Sequence, residues 1–168
     1  MIKKKVHLSL ALISMALSGH VSSADASGDP IVAAPGREVC QVRPVTISDK
    51  QVDAKLCVTS GNFSHDKYSV RIGWSRVVEG IDDETTWGIA GTYKGNAVSL
   101  TCVPQVKQPG TDQGAAVDAM AKSLQEHGGD KPEQAHDLAI HMLSVETGRL
   151  CTFRQGDQAL MAIQVDFH

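Results

Sequence analysis

No C-x-x-C pair, H-E-x-x-H helix, G-x-S-x-G turn, glycine-rich phosphate loop or dinucleotide fingerprint occurs in these 168 residues. The residue sets that announce zinc, acyl-transfer or nucleotide chemistry are therefore missing, and neither a catalytic constellation, a metal site nor a cofactor is expected. Basic clusters are scarce too. The one Lys run, Lys3-Lys4-Lys5, stands at the extreme N-terminus, and without a cationic patch elsewhere nucleic acid is a poor partner. No apolar run approaches the roughly 20 residues needed to span a bilayer.

What the front of the chain does have is a three-part pattern. Lys3 to Lys5 precede an apolar stretch from Val6 to Leu17, and small residues follow at Ser22, Ser23 and Ala24. That layout reads as a secretory signal peptide over residues 1–24. Leu17-Ser18-Gly19 is followed by His20 and offers no thiol for lipidation, so no membrane anchor is expected. Removing residues 1–24 takes away three lysines and no acid, which moves the formal charge from −3 to −6. The expectation is an acidic, soluble protein in the periplasm or secreted. Residues 25–36, small, polar and broken by two prolines, read as a flexible leader. Residues 37–168 have the length of a single domain.

Four cysteines, Cys40, Cys57, Cys102 and Cys151, lie beyond the signal. In an oxidising compartment they suggest two disulfides, for which three pairings are possible. Strand parity favours one. The runs around Cys40 and Cys57 fold back at Ser48-Asp49 with Val39 opposite Val58, Val45 opposite Val52 and Cys40 opposite Cys57. Cys102 and Cys151 then pair by elimination.

Further along, Tyr68, Val70, Ile72 and Trp74 alternate with polar or small residues, and Trp87, Ile89, Gly91 and Tyr93 repeat the pattern. Both read as half-buried strands. Gly95-Asn96 suggests a two-residue hairpin turn that sets Tyr93 against Val98 and Ile89 against Cys102. After Pro109-Gly110 the period becomes helical. Val117, Met120, Ala121 and Leu124 form one stripe, with Thr111 or Asp112 as cap, and Gly128-Gly129 as stop. Ala135, Leu138, Ala139 and Met142 form another, capped by Asp130 and Glu133 and closed at Gly148. Two strands finish the chain, the last apolar on both faces and so central. The fold expected is α+β: a largely antiparallel sheet of about seven strands, two amphipathic helices packed on it, and disulfide staples.

Two features bear on function. Five of the seven aromatic residues fall between Phe63 and Tyr93; a stacking platform for sugar or peptide competes there with plain core packing, which the shared apolar faces favour. Glu79, Asp82, Asp83 and Glu84 place four carboxylates within six residues, in what reads as a loop between strands. A solvated loop, a calcium site and a docking surface compete for it, and the spacing departs from the calcium-loop pattern. As a partner-binding site it would meet a basic protein, since complementary charge steers association. His136 and His141, five apart, do not share a helix face well, while Asp137 and His141, four apart, read as a surface ion pair rather than a metal site, and His65-Asp66 as a turn. These features together point to an exported binding protein, an inhibitor or immunity protein that docks on a basic cell-wall enzyme or toxin. A small extracytoplasmic hydrolase using a free cysteine, and a structural or assembly component of the envelope, are the alternatives.

Overall fold

A computed structural model describes residues 28–61 and 64–167; the signal expected over residues 1–24, and Phe63, lie outside them. Seven strands come first: β1 (Ile31–Val32), β2 (Glu38–Ile47), β3 (Lys50–Thr59), β4 (Lys67–Ile72), β5 (Ser75–Ile81), β6 (Ile89–Tyr93) and β7 (Asn96–Lys107). A short helix, α1 (Asp82–Trp87), separates β5 from β6. Then come α2 (Gly114–Gly128), α3 (Pro132–Leu143), β8 (Val145–Gln155) and β9 (Gln158–Asp166). The α+β class, the dominance of antiparallel pairing, the two amphipathic helices and both disulfides are as the sequence indicates.

The nine strands divide into two sheets rather than one. β2-β3-β4-β5 form an antiparallel meander, and the second sheet runs β1-β9-β8-β7-β6, with only the β1–β9 pair parallel. β9 is thus internal, as its two-faced apolarity requires. One core joins the sheets, with Leu56, Tyr68 and Val70 from the first packed with Leu100, Phe153 and Val165 from the second. At the β5–β6 boundary the backbones approach closely: a Cβ on Gly91 would stand 2.0 Å from the Val77 carbonyl oxygen.

Residues 25–36 are not wholly a flexible leader. Ile31 and Ala33 are buried, and Ile31 and Val32 pair with Val165 and Asp166. The apolar stretch Ile31-Val32-Ala33-Ala34, closed by prolines on both sides, is too short to reveal a strand by period, yet Ile31 and Ala33 are enough to fill the edge of the core.

The β2–β3 register is the expected one at each of Val39–Val58, Cys40–Cys57 and Val45–Val52. Its turn puts Ser48 and Asp49 at φ 49° and 62°, the mirror-image turn whose twist suits a hairpin. In the β6–β7 hairpin the turn is Lys94-Gly95, at φ 49° and 82°, not Gly95-Asn96. Tyr93 therefore pairs with Asn96 and Ile89 with Leu100. Asn96 serves another purpose, since its side chain accepts from Ser48 Oγ at 2.9 Å and Gln155 Nε2 at 3.3 Å, joining three hairpin ends.

α2 and α3 bury Val117 and Ala121 against Ala135 and Ala139. A 3-10 turn over Thr111–Gln113 precedes α2, and neither helix has a side-chain cap. Gly129, at φ 72°, ends α2 as expected. α3 stops at Leu143, and Gly148 lies inside β8, where a side chain would strike the Val165 carbonyl oxygen. Among the described residues no helix is long and apolar enough to cross a membrane.

Candidate functional site

The carboxylate run is not a loop. Glu79 belongs to β5, while Asp82, Asp83 and Glu84 form the first turn of α1. A helix of six residues gives too few periods to be seen in a sequence. Glu84 Oε2 accepts the Ile81 N–H at 3.0 Å and closes the start of the helix, where a carboxylate also complements the helix dipole.

The four carboxylates have separate roles. Glu79 is ion-paired to Arg76 on the same strand. Asp82 is partly buried and turns toward His65: its Oδ1 lies 2.7 Å from His65 Nδ1 and accepts the Asp83 N–H at 2.9 Å. Burial pushes its carboxyl pKa up, but the His65 and Asp83 hydrogen bonds outweigh burial and leave it below the usual carboxylate value. Asp83, exposed at its tip, approaches His65 only to 3.7 Å. His65, Asp82 and Asp83 together hold three ligand-type atoms within 4.8 Å of one another. The shortest contact among them is a hydrogen bond.

Beneath α1 lies Arg149 of β8, one of three buried polar or charged residues among those described. Its Nε and Nη2 reach the two oxygens of Glu146 at 2.6 and 3.3 Å. Its Nη1 donates to the Asp82 carbonyl and to Thr86 Oγ1, both at 2.9 Å. Burial disfavours its charge, yet hydrogen bonding and attraction to Glu146 hold the guanidinium more firmly protonated than usual. Thr85 is fully buried and donates to the same Asp82 carbonyl. The inner face of α1 is thereby pinned to the five-stranded sheet by a fork that a lysine has no geometry to supply. Nearby, the Tyr68 hydroxyl is buried without a partner; burial, then the Asp66 charge, push its pKa well up and keep it neutral.

The outer face of α1 is free of such ties. Asp83 and Trp87, four apart, share one side of a helix, and Trp87 is 90% exposed. Trp74, in the β4–β5 turn, is entirely exposed as well. Core packing was the favoured expectation for both, and it is overturned. Alternation continued past the ends of the strands: Trp74 follows β4 at Gly73, whose φ of 58° turns the chain, and Trp87 closes a helix. Tyr68 is the core aromatic of that cluster, with Tyr93 packed at the core's margin.

Other expected sites stay apart. Asp137 and His141 border an open cleft with Ile140 and Ser144, but no ion pair joins them among the described residues. All four cysteines are bridged, Cys40 to Cys57 and Cys102 to Cys151, so no thiol is free to act as a nucleophile. His65 does meet a carboxylate, but that of Asp82, not its neighbour Asp66, whose Oδ1 accepts the Gly61 N–H. No family model, curated protein or solved structure matches this chain.

Proposed function

We propose that the chain is an exported binding protein, periplasmic or secreted, that docks on a basic protein partner, a cell-wall enzyme or toxin, and blocks it through the outer face of α1. The observation that carries this reading is Trp87, held 90% exposed on a helix whose inner face is fixed by buried Arg149. A single exposed apolar side chain is ordinary on a protein surface, and Trp74 is exposed as well; Trp87 differs in sitting beside Asp83 on a helix that Arg149 holds in place. Tryptophan is enriched among the few residues that dominate binding energy, and rigid presentation lowers the entropy lost on docking. Asp83 beside it supplies a carboxylate with no buried commitment, suited to a cationic rim on the partner. Glu79, Asp82 and Glu84 are engaged within the fold, so the site reduces to Asp83 and Trp87. The N-terminal signal pattern and the paired cysteines support export.

The test uses basic proteins captured from an extract of the producing organism or its competitors, purified and titrated individually. Trp87→Ala is expected to weaken a true partner's affinity by about 30-fold, equivalent to about 2 kcal/mol. Asp83→Lys should slow association and flatten its salt dependence. A partner that binds both variants as it binds the native protein rejects this face.

A further inference from the structure

The two disulfides occupy different environments. Cys102 and Cys151 are both buried within the five-stranded sheet. Cys40 lies on the solvent side of β2, in step with exposed Glu38, Val42 and Pro44, and β2 is an edge strand of its sheet. Its partner Cys57 is buried.

What lies over Cys57 follows from the register. Arg71 on β4 pairs with Lys55, and Glu38 on β2 pairs with Thr59. The 2.7 Å contact from Arg71 Nη2 to Glu38 Oε1 therefore crosses β3 at Cys57, midway between those positions. A carboxylate oxygen of Glu38 lies within 4.8 Å of both sulfurs. The bridge is thus open on the Cys40 side and overlain by a guanidinium–carboxylate pair on the Cys57 side. Solvent-exposed disulfides are the labile ones, and the Arg71 partner offsets the Glu38 charge that would otherwise oppose a thiolate here.

We infer that Cys40–Cys57 is a site of thiol–disulfide exchange, opened by a dithiol while the rest of the molecule stays folded. One thiolate of the dithiol attacks Cys40 Sγ; the Cys40–Cys57 bond breaks and its electron pair leaves on Cys57 Sγ. The second thiolate then attacks the dithiol's own sulfur in the mixed disulfide and releases Cys40 as a thiolate. Two electrons pass to the protein, the dithiol departs as a disulfide, and the protons shed by its two thiols end on Cys40 and Cys57. Arg71 is a positioning residue here, acting through Glu38, whose carboxylate it pairs and holds beside both sulfurs. β2 keeps its ten-residue pairing with β3, and Cys102–Cys151 remains closed in the core.

The experiment treats the native protein with dithiothreitol, quenches with iodoacetamide, maps labelled cysteines by peptide mass and follows far-ultraviolet circular dichroism in parallel. Cys40 should be labelled at least about tenfold faster than Cys102 and Cys151, with the spectrum unchanged and Cys57 found as a free thiol once the quenched protein is unfolded. Labelling of all four together as the spectrum is lost, earlier labelling of Cys102 and Cys151, or resistance of Cys40–Cys57 until unfolding each overturns the inference. In the reduced protein, Arg71→Gln leaves the Glu38 charge unpaired and should move the pH profile of Cys40 alkylation upward. An unmoved profile removes Arg71 from the site.

Discussion

Arg149 Nη1 donates a 2.9 Å hydrogen bond to the carbonyl oxygen of Asp82, 67 residues earlier in the chain. This contact fastens the start of α1 to β8, and Arg149 is only 7% exposed. Arg149→Met keeps much of the side-chain volume but abandons the Asp82 carbonyl, Thr86 and Glu146 together. The expected cost is about 2–4 kcal/mol, since hydrogen bonds to a charged group contribute about 1.5–3 kcal/mol each but are not additive. Urea unfolding measures it. Because the loss frees α1, partner affinity should fall along with stability.

Acid should remove the contribution of Asp82. Its folded-state pKa lies below the ordinary value, so the charged carboxylate stabilises the fold above an unfolded-state pKa of about 3.9. That stabilisation is lost as pH falls through the lower folded-state value. In Asp82→Asn it is absent throughout. The stability gap between the two proteins should be widest near neutrality and close in strong acid, as read from urea midpoints at a series of pH values.

Two glycines make opposite demands. At Gly91 a methyl group would meet the Val77 backbone oxygen at 2.0 Å, so Gly91→Ala must force β5 and β6 apart, at a cost of about 1–3 kcal/mol or more. Gly114 is helical, at φ −52° and ψ −43°, with nothing within 4 Å of an added Cβ. Gly114→Ala should stabilise by about 0.4–1 kcal/mol through the unfolded chain. Thermal unfolding of the two variants distinguishes them by sign.

Both tryptophans are solvent-exposed, Trp74 at 104% and Trp87 at 90%. Native emission should match that of free tryptophan in water, be quenched fully by iodide and barely shift in denaturant. A blue-shifted native spectrum would place an indole in the core. Trp87→Ala should change stability by no more than about 0.5 kcal/mol, as for other exposed positions away from structural features.

The fold was legible where local patterning and burial agree. The β2–β3 hairpin is fixed by alternation on both strands and by a two-residue turn, so a one-residue slip would carry Val39, Val45 and Val58 to the wrong face. β6–β7 shows the limit: Lys94-Gly95 and Gly95-Asn96 are both serviceable turns, and the observed Lys94-Gly95 turn leaves Asn96 to bond Ser48 and Gln155 from distant hairpins. The acidic run was legible as a feature but not as a helix, and Trp87 was legible only as an aromatic on an alternating pattern.

The sequence by itself determined the class, the β2–β3 hairpin with its Cys40–Cys57 bridge and the helical stripes, because each rests on periodicity or short-range register; Cys102–Cys151 followed by elimination. Tertiary structure alone decided that nine strands split into two sheets, that Ile31 joins the core, and that Thr85 and Thr86 face inward while Asp83 and Trp87 turn out. The last depends on Arg149 arriving beneath α1 from the far end of the chain, and no local pattern encodes which side of a short helix a distant guanidinium will claim.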